Sequence, residues 1–131
     1  LIVICGSNAS VWTHLEGRYG PRVELLGKTE QMALYLRACD LYFTKPGGLS
    51  TTEAAVMEVP LALLPPIPGC ETRNREFYVR TGMAIPAQLR SLEDSLALLN
   101  RPEKLAHMRQ CQHDIIPKDA AQKICDLLGA L

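Results

Sequence analysis

The chain has 131 residues, a formal net charge of zero and 47% hydrophobic residues, which is enough for one domain with a sizeable core. This composition argues against an intrinsically disordered chain and against a protein that binds polyanions through overall positive charge. Five cysteines are dispersed without a CxxC pair, a pattern that indicates reduced thiols and predicts neither a disulfide framework nor a zinc site.

The first residues, "LIVICG", lie within an apolar run and include no initiating methionine. The run lacks the basic start and the long apolar core of a signal peptide. No apolar stretch approaches the roughly 18 residues that a membrane-spanning helix needs. We therefore expect a fragment of a longer protein whose fold starts upstream of this segment.

Short apolar runs closed by glycine, proline or polar turns predict five strands, at 1–5, 22–26, 41–44, 61–64 and 83–85. Apolar residues at helical spacing predict helices over 11–19, 30–39, 51–58, 72–81, 91–99, 102–113 and 119–128. Strands that alternate with helices over short connections predict an α/β fold, a Rossmann-like parallel sheet with helices on both faces.

Several residues are predicted to set the ends of these helices. Thr29 is the predicted N-cap of the second helix, and Pro60 ends the third, because the residue before a proline avoids the helical region. Ser91 and Asp94 form a capping pair, and Pro102 suits a first helical turn.

In such sheets ligands bind at the carboxyl ends of the strands, where the strand-to-helix loops meet. The most distinctive of these loops is "TKPGGLSTTEA", in which Gly47 and Gly48 follow a strand and open onto a helix. Glycines let an anion approach backbone N–H groups, here those from Gly48 to Thr51, and the hydroxyls of Ser50 and Thr51 add donors. The alternative is that the two glycines only form a tight turn between the strand and the helix and bind no anion. The spacing matches neither a P-loop nor a dinucleotide-binding GxGxxG motif.

Glu53 has two explanations. Its spacing from Ser50 fits a capping box, in which the carboxylate bonds back to the N-cap amide, and spacing alone favours this interpretation. A carboxylate one turn into a helix that faces a nucleotide also accepts hydrogen bonds from two ribose hydroxyls, and one carboxylate has lone pairs enough for both roles.

The segment "PPIPGCETRNREF" combines a proline-rich loop with a polar helix start. The prolines and Gly69 stiffen the loop, and Glu71 and Asn74 follow in the first turn of the predicted helix. These two side chains are either solvated first-turn residues or a carboxylate and an amide that bind the hydroxyls of a sugar.

The remaining candidates give weaker signals. Trp12 and His14 could stack on a base, but a lone tryptophan at helical spacing more often packs in or beside a core. The three histidines lack metal-ligand spacing with any acid or cysteine, so that we predict no metal site and no cofactor.

Three arginines follow the proline loop, at Arg73, Arg75 and Arg80. A nucleic-acid interface is not predicted, because the chain lacks net basic charge and interleaved aromatic residues. A modest patch for anionic lipid headgroups stays open.

Taken in order, "CGSN", "VELLG", "DLYFTKPGGLSTTEA" and "PPIPGCETRNREF" resemble the C-terminal, UDP-sugar-binding domain of a glycosyltransferase family with the two-domain GT-B fold. That family includes the processive diacylglycerol glucosyltransferases, the monogalactosyldiacylglycerol synthases and, more distantly, the peptidoglycan N-acetylglucosaminyltransferase. The resemblance covers residues 1–128. It implies an inverting, UDP-sugar-dependent transferase that passes a hexose, galactose or glucose, to a diacylglycerol-type lipid.

The resemblance also implies roles for residues at matching positions. The diphosphate would lie on the glycine loop, and the ribose hydroxyls would bind a carboxylate of the helix that follows it. The uracil would contact backbone just after the second strand, and the sugar would lie beside the helix that follows the proline loop. The CGxN turn would be a further part of the site. The implied donor-binding residues are, in that order, Gly47, Gly48, Leu49, Ser50, Thr51, Glu53, Lys28, Thr29, Glu71, Asn74, Gly6 and Asn8.

The chain differs from the family at one segment: relatives tend to carry Gln-Glu-Glu-Gly-Asn where this chain has "CETRN" at 70–74. The identity of the transferred sugar is therefore left open. The catalytic base is expected from a separate acceptor domain, so that the isolated chain is predicted to be inactive. The alternatives are the separate donor-binding subunit of a two-subunit UDP-N-acetylglucosamine transferase and a non-catalytic nucleotide-binding module. The implied location is intracellular, either cytoplasmic or peripheral at a membrane, and plastidial in a photosynthetic eukaryote.

Overall fold

The computed structural model describes residues 1–130 as two compact units, one of residues 1–35 and one from Leu36 onward. The strands are β1 Ile2–Ile4, β2 Glu24–Leu26, β3 Tyr42–Thr44, β4 Leu61–Leu63 and β5 Ala84–Pro86. The helices are α1 Ala9–Leu15, α2 Met32–Ala38, α3 Gly48–Val56, α4 Cys70–Arg80, α5 Leu92–Leu96, α6 Pro102–Ile115 and α7 Ala120–Gly129, with a 3-10 helix Ala97–Asn100 after α5. The predicted α/β class with parallel strands is confirmed.

The five strands form two hydrogen-bonded sheets, whereas the sequence predicted one. In the first unit β1 and β2 run parallel, with Ile2 opposite Glu24. In the second unit the order is β3-β4-β5, all parallel, with Tyr42 opposite Leu61 and Leu61 opposite Ala84. Pairing between strands depends on contacts distant in sequence, which the hydrophobic pattern of each run does not contain.

The central strand β4 forms the core of the second unit. All three of its residues, Leu61–Leu63, are fully buried, as expected for a strand that is hydrogen-bonded on both sides in a parallel sheet. Helix α3 contacts β3, β4 and α6. A smaller buried cluster of Leu98, Leu105 and Met108 packs against Leu41 and Ile85. These contacts hold the carboxyl ends of β3 and β4 side by side.

Three differences between the predicted and observed helix starts affect residues of the candidate site. Helix α3 begins at Gly48, three residues before the predicted start. Helix α2 begins at Met32, so that Thr29 is not its N-cap; the Thr29 hydroxyl instead accepts a hydrogen bond from the Gln31 amide at 3.0 Å in the preceding turn. Helix α4 begins at Cys70, two residues before the predicted start. Among residues 1–130, no helix is long and apolar enough to cross a membrane.

Candidate functional site

The glycine loop follows β3 in the second unit. Pro46 is fully buried, and the Gly47 amide donates a hydrogen bond to the Lys45 carbonyl at 2.8 Å. Gly47 is the N-cap of α3 in an extended conformation, φ −73° and ψ 140°, and no side chain caps the helix. The first four N–H groups of an α-helix, counted from the N-cap, have no acceptor within it, and here the first of them, that of Gly47, is already bonded to Lys45. The amides of Gly48, Leu49 and Ser50 are therefore the donors that this helix start offers to an anion.

Thr51, predicted to add both an amide and a hydroxyl donor, is not available for that purpose. Its N–H donates to the Gly47 carbonyl at 3.1 Å, and its hydroxyl donates to the same oxygen at 2.8 Å. The side chain is fully buried. Thr51 therefore stabilises the first turn of α3 from inside, and this part of the prediction is wrong because the helix starts earlier than Ser50.

The capping box is wrong for the same reason. Ser50 lies inside α3, since the N-cap is Gly47, so that Glu53 has no N-cap amide to reach. The Glu53 side chain is exposed and makes no hydrogen bond or ion pair among the described residues. Leu49, 81% exposed, is four residues earlier on the same side of the helix. The structure thus leaves the carboxylate of Glu53 free.

The proline loop after β4 ends at Gly69, which takes φ +117° as the N-cap of α4, a conformation that favours glycine. One residue into the helix, the Glu71 carboxylate accepts a hydrogen bond from the Ile67 amide at 2.7 Å. It also accepts one from the Lys45 ammonium at 3.4 Å. The Ile67 amide, with a further contribution from Lys45, holds the pKa of Glu71 below its ordinary value.

Asn74 joins the two loops. Its side-chain amide donates to the Pro46 carbonyl at 3.0 Å. An ideal Cβ built on Gly48 would lie 3.9 Å from the same Asn74 nitrogen, so that the helix start and this amide are close neighbours. Because β3 and β4 are adjacent parallel strands, their carboxyl ends bring the glycine loop and the first turn of α4 together. The structure places Glu71 and Asn74 beside the glycine loop, where both side chains bond to loop backbone, and their predicted contact with the donor sugar stays a prediction.

Lys45 belongs to this site, and the sequence analysis did not single it out. Its ammonium reaches Glu71, and the residue stands directly before the glycine loop. The signal was present in "TKPGG", where a cation follows a strand and precedes two glycines. The pattern does not reveal that a carboxylate 26 residues later fixes its position.

In the first unit, the turn after β1 and the turn after β2 lie together. Gly6 has φ +59°, and its carbonyl oxygen is 3.9 Å from an ideal Cβ on Gly27. Asn8 is the N-cap of α1, and its side-chain oxygen accepts from the Val11 amide at 3.1 Å. In the CGSN motif Gly6 thus forms a turn and Asn8 caps a helix, and the predicted place of both residues in the donor site stays a prediction. The predicted uracil contact at Lys28 and Thr29, just after β2, stays a prediction.

Two of the three histidines contact other polar side chains. His113 contacts the Glu58 carboxylate at 2.9 Å, and His107 lies 3.6 Å from the Cys111 sulfur. Within residues 1–130 no group of three histidine, cysteine or acidic side chains is arranged to hold a metal ion.

The comparisons with known proteins bear on the whole chain. It is 34% identical to a processive diacylglycerol β-glucosyltransferase of Bacillus pumilus over 96% of the chain, and 31% identical to one of Staphylococcus saprophyticus over all of it. It superimposes on the crystal structure of Acinetobacter baumannii MurG, a GT-B glycosyltransferase, with a TM-score of 0.77 at 22% identity, over 99% of this chain and 40% of that one. No protein-family model matches.

The predicted resemblance to the processive diacylglycerol glucosyltransferases is confirmed. The chain spans about a third of the length of these curated relatives, 34% of the Bacillus protein and 35% of the Staphylococcus protein. The activity of the complete glucosyltransferases is therefore assigned to this chain only as a proposal. The likeness to MurG shows the fold.

Proposed function

We propose that this chain is the UDP-sugar-binding part of a glycosyltransferase related to the processive diacylglycerol glucosyltransferases. The observation that carries the proposal is the site in the second unit. Three N–H groups, those of Gly48 to Ser50, are unpaired at the start of α3, directly after the glycine loop. The exposed carboxylate of Glu53 lies about one turn further along the same helix. This arrangement suits a diphosphate next to a ribose, which is the polar half of a UDP-sugar.

The chemistry of this half is stabilisation of the leaving group. When a glycosyl bond to UDP breaks, negative charge develops on the diphosphate, and preorganised donors at that position lower the barrier. The dipole of α3 favours an anion at its start by about 0.3–1 kcal/mol. Lys45 adds a full positive charge beside the same loop. We propose that this helix start serves where other transferases use a divalent cation.

The finer assignments rest on the relatives. We propose a hexose, galactose or glucose, as the transferred sugar, a diacylglycerol-type lipid as the acceptor, and displacement with inversion at the anomeric carbon. The names of the relatives, processive diacylglycerol β-glucosyltransferases, favour glucose and diacylglycerol. We also propose that the protein acts inside the cell at a membrane surface, where such a lipid is found. In this proposal the catalytic base comes from outside this chain.

A non-catalytic nucleotide-binding module is the second candidate, because Glu71 and Asn74 already have partners in the loops. In that case the chain binds UDP and UDP-glucose with equal affinity. A donor domain binds UDP-glucose more tightly, and substitution of Glu71 or Asn74 removes that difference.

The test is a calorimetric titration of the chain with UDP, GDP and ADP, repeated for Glu53→Gln. We expect UDP to bind preferentially, and Glu53→Gln to weaken its binding about tenfold, since the uncharged amide accepts ribose hydrogen bonds more weakly. Glu103→Gln, an exposed glutamate of α6, is the matched control and leaves the affinity unchanged. Equal affinity for UDP and GDP, or an unchanged affinity in Glu53→Gln, would contradict the proposal.

A further inference from the structure

Helix α4 borders a second concave surface, whose lining includes no residue of the glycine loop. A groove with a volume of about 610 Å³ is lined mainly by residues of α4, together with Pro66 of the proline loop and Pro86 at the end of β5. Three of its lining residues are the arginines Arg73, Arg75 and Arg80. We name this surface the arginine groove.

The charges of the arginine groove are not neutralised from within. None of its three arginines forms an ion pair with a carboxylate among residues 1–130. Glu76 is the one carboxylate that lines it. Three guanidinium groups within eight residues therefore carry excess positive charge, although the chain as a whole is neutral. Such a concentration of like charge raises the local positive potential and so attracts anions.

Arg75 gives the second observation. Its Nε atom is buried and has no hydrogen-bond partner within the described residues. Buried donors in folded proteins are almost always paired, so that an unpaired one calls for a ligand or a water. The rest of the Arg75 side chain is only partly covered, and it lines the groove. Arg75 is therefore a residue of the groove wall whose buried Nε donor is unpaired within the described residues.

The chemistry of the groove selects the class of ligand. Guanidinium groups bind phosphate through paired, parallel N–H···O bonds, and several around one cavity suit a phosphate better than a carboxylate. The Thr72 hydroxyl adds a neutral donor. Phe77, 38% exposed, places an apolar ring beside the arginines, which suits a phosphate attached to an organic group.

We propose that the arginine groove binds a phosphate-bearing group at a site separate from the glycine loop. The phosphate comes either from a small soluble molecule or from the headgroup of an anionic phospholipid, and the chemistry at the arginines is the same for both. Arg73, Phe77 and Arg80 share one side of α4, at helical spacings of four and three residues, while Glu71 and Asn74 hold the two loops on another.

The experiment uses two probes on the same chain. Inorganic phosphate is titrated while the backbone amide resonances of α4 are followed by NMR. Sedimentation then measures binding to vesicles of phosphatidylglycerol and phosphatidylcholine in equal parts, against vesicles of phosphatidylcholine alone. We expect at least one probe to bind, with resonance shifts on α4 for phosphate or sedimentation only with the anionic vesicles. Binding of free phosphate identifies a soluble ligand, and binding of vesicles alone identifies a lipid headgroup.

Variants locate the site. Arg73→Gln with Arg80→Gln is expected to weaken binding of the active probe about tenfold, since two charge-assisted contacts are lost. Arg37→Gln with Arg90→Gln removes the same net charge from exposed positions elsewhere and leaves binding within about twofold of the unaltered chain. Arg75→Lys keeps the charge but loses the paired donors, and it weakens binding as well.

Failure of both probes to bind would overturn the proposal. So would an equal loss of probe affinity in the Arg73→Gln, Arg80→Gln variant and in the Arg37→Gln, Arg90→Gln control. UDP titration of the Arg73→Gln, Arg80→Gln variant separates this result from the proposed function. Unchanged UDP affinity is expected, because the glycine loop is intact in that variant. A loss of UDP affinity equal to the loss of probe affinity would show that the groove belongs to the nucleotide site and would overturn the separate site.

Discussion

The side-chain amide of Asn74 donates a hydrogen bond across 3.0 Å to the carbonyl oxygen of Pro46, and it thereby ties the first turn of α4 to the loop that starts α3. Pro46 is fully buried, so that its carbonyl has little alternative solvation. The bond fixes the loop geometry that exposes the three free amides of α3. A single side chain from α4 thus helps to fix the shape of the candidate diphosphate site.

Asn74→Ala is expected to lower the free energy of unfolding by about 1 kcal/mol, the typical net contribution of one such bond, since the Pro46 carbonyl loses its donor. Urea unfolding followed by far-UV circular dichroism measures the change. Asn100→Ala removes an exposed asparagine whose side chain makes no hydrogen bond among residues 1–130, and it should change stability by less than about 0.5 kcal/mol. Equal losses of stability in the two variants would argue against a stabilising hydrogen bond from Asn74 to Pro46.

Glu71 predicts a pH dependence with a definite sign. The Ile67 amide and the Lys45 ammonium hold the pKa of the folded carboxyl below its unfolded value. Its contribution to stability is therefore fully present above the unfolded pKa, and it is lost as the pH falls through the folded pKa. Glu71→Gln should consequently lose less stability than the unaltered chain on acidification across that range.

The measurement is urea unfolding at a series of pH values from neutral to acidic. Glu76→Gln is the control, because this glutamate lies on the same helix and forms no ion pair within the described residues. Its pH profile should keep the slope of the unaltered chain. A Glu71→Gln profile parallel to that of the unaltered chain would mean that Glu71 makes no contribution linked to its ionisation.

How far the sequence predicts this molecule depends on how local each signal is. The apolar runs located all five strands within about two residues, because burial of a short run leaves its mark on adjacent positions. The start of α3 was misplaced by a local rule, the spacing of Ser50 and Glu53. The tie from Asn74, 28 residues after Pro46, and the buried position of Thr51 override that rule. Contacts of this kind, like the Lys45–Glu71 pair and the division into two sheets, appear only once the chain has folded.

Glu58, two residues after the end of α3, has an unusual backbone conformation, with φ +58°. This left-handed region costs about 1 kcal/mol for residues with a side chain but little for glycine. The carboxylate is retained by Lys118 and His113, which lower its pKa, the Lys118 bond more than that of His113. Glu58→Ala and Glu58→Gly lose these bonds equally. We therefore expect the glycine variant to be more stable than the alanine variant by about 1 kcal/mol.

A matched pair at Thr52, exposed in the interior of the same helix, should show the opposite order. At this position we expect the alanine variant to be more stable than the glycine variant by about 1 kcal/mol, because glycine is unfavourable within a helix. Urea unfolding of the four variants tests both orders together. An alanine variant at position 58 as stable as the glycine variant would mean that the backbone there is not left-handed in solution.

Gln112 connects α6 to the central sheet. Its side chain is fully buried, and its amide nitrogen donates to the Val59 carbonyl at 2.8 Å and to the Met83 carbonyl at 3.1 Å, just before β4 and β5. Gln112→Leu keeps a similar volume but leaves two carbonyls without this donor. The side-chain oxygen of Gln112 has no partner among residues 1–130, so that its removal offsets part of the cost. We expect a net loss of about 2 kcal/mol in the free energy of unfolding.

Gln112→Glu should be worse than Gln112→Leu, because an ionised carboxylate donates to neither carbonyl and adds a buried charge. At acidic pH the protonated acid can donate one hydrogen bond, and the difference between the two variants should narrow. Gln110→Leu, exposed two residues earlier on α6, is the control, with a change below about 0.5 kcal/mol. Stability of Gln112→Leu equal to that of Gln110→Leu would contradict the role of this amide in holding α6 against the ends of β4 and β5.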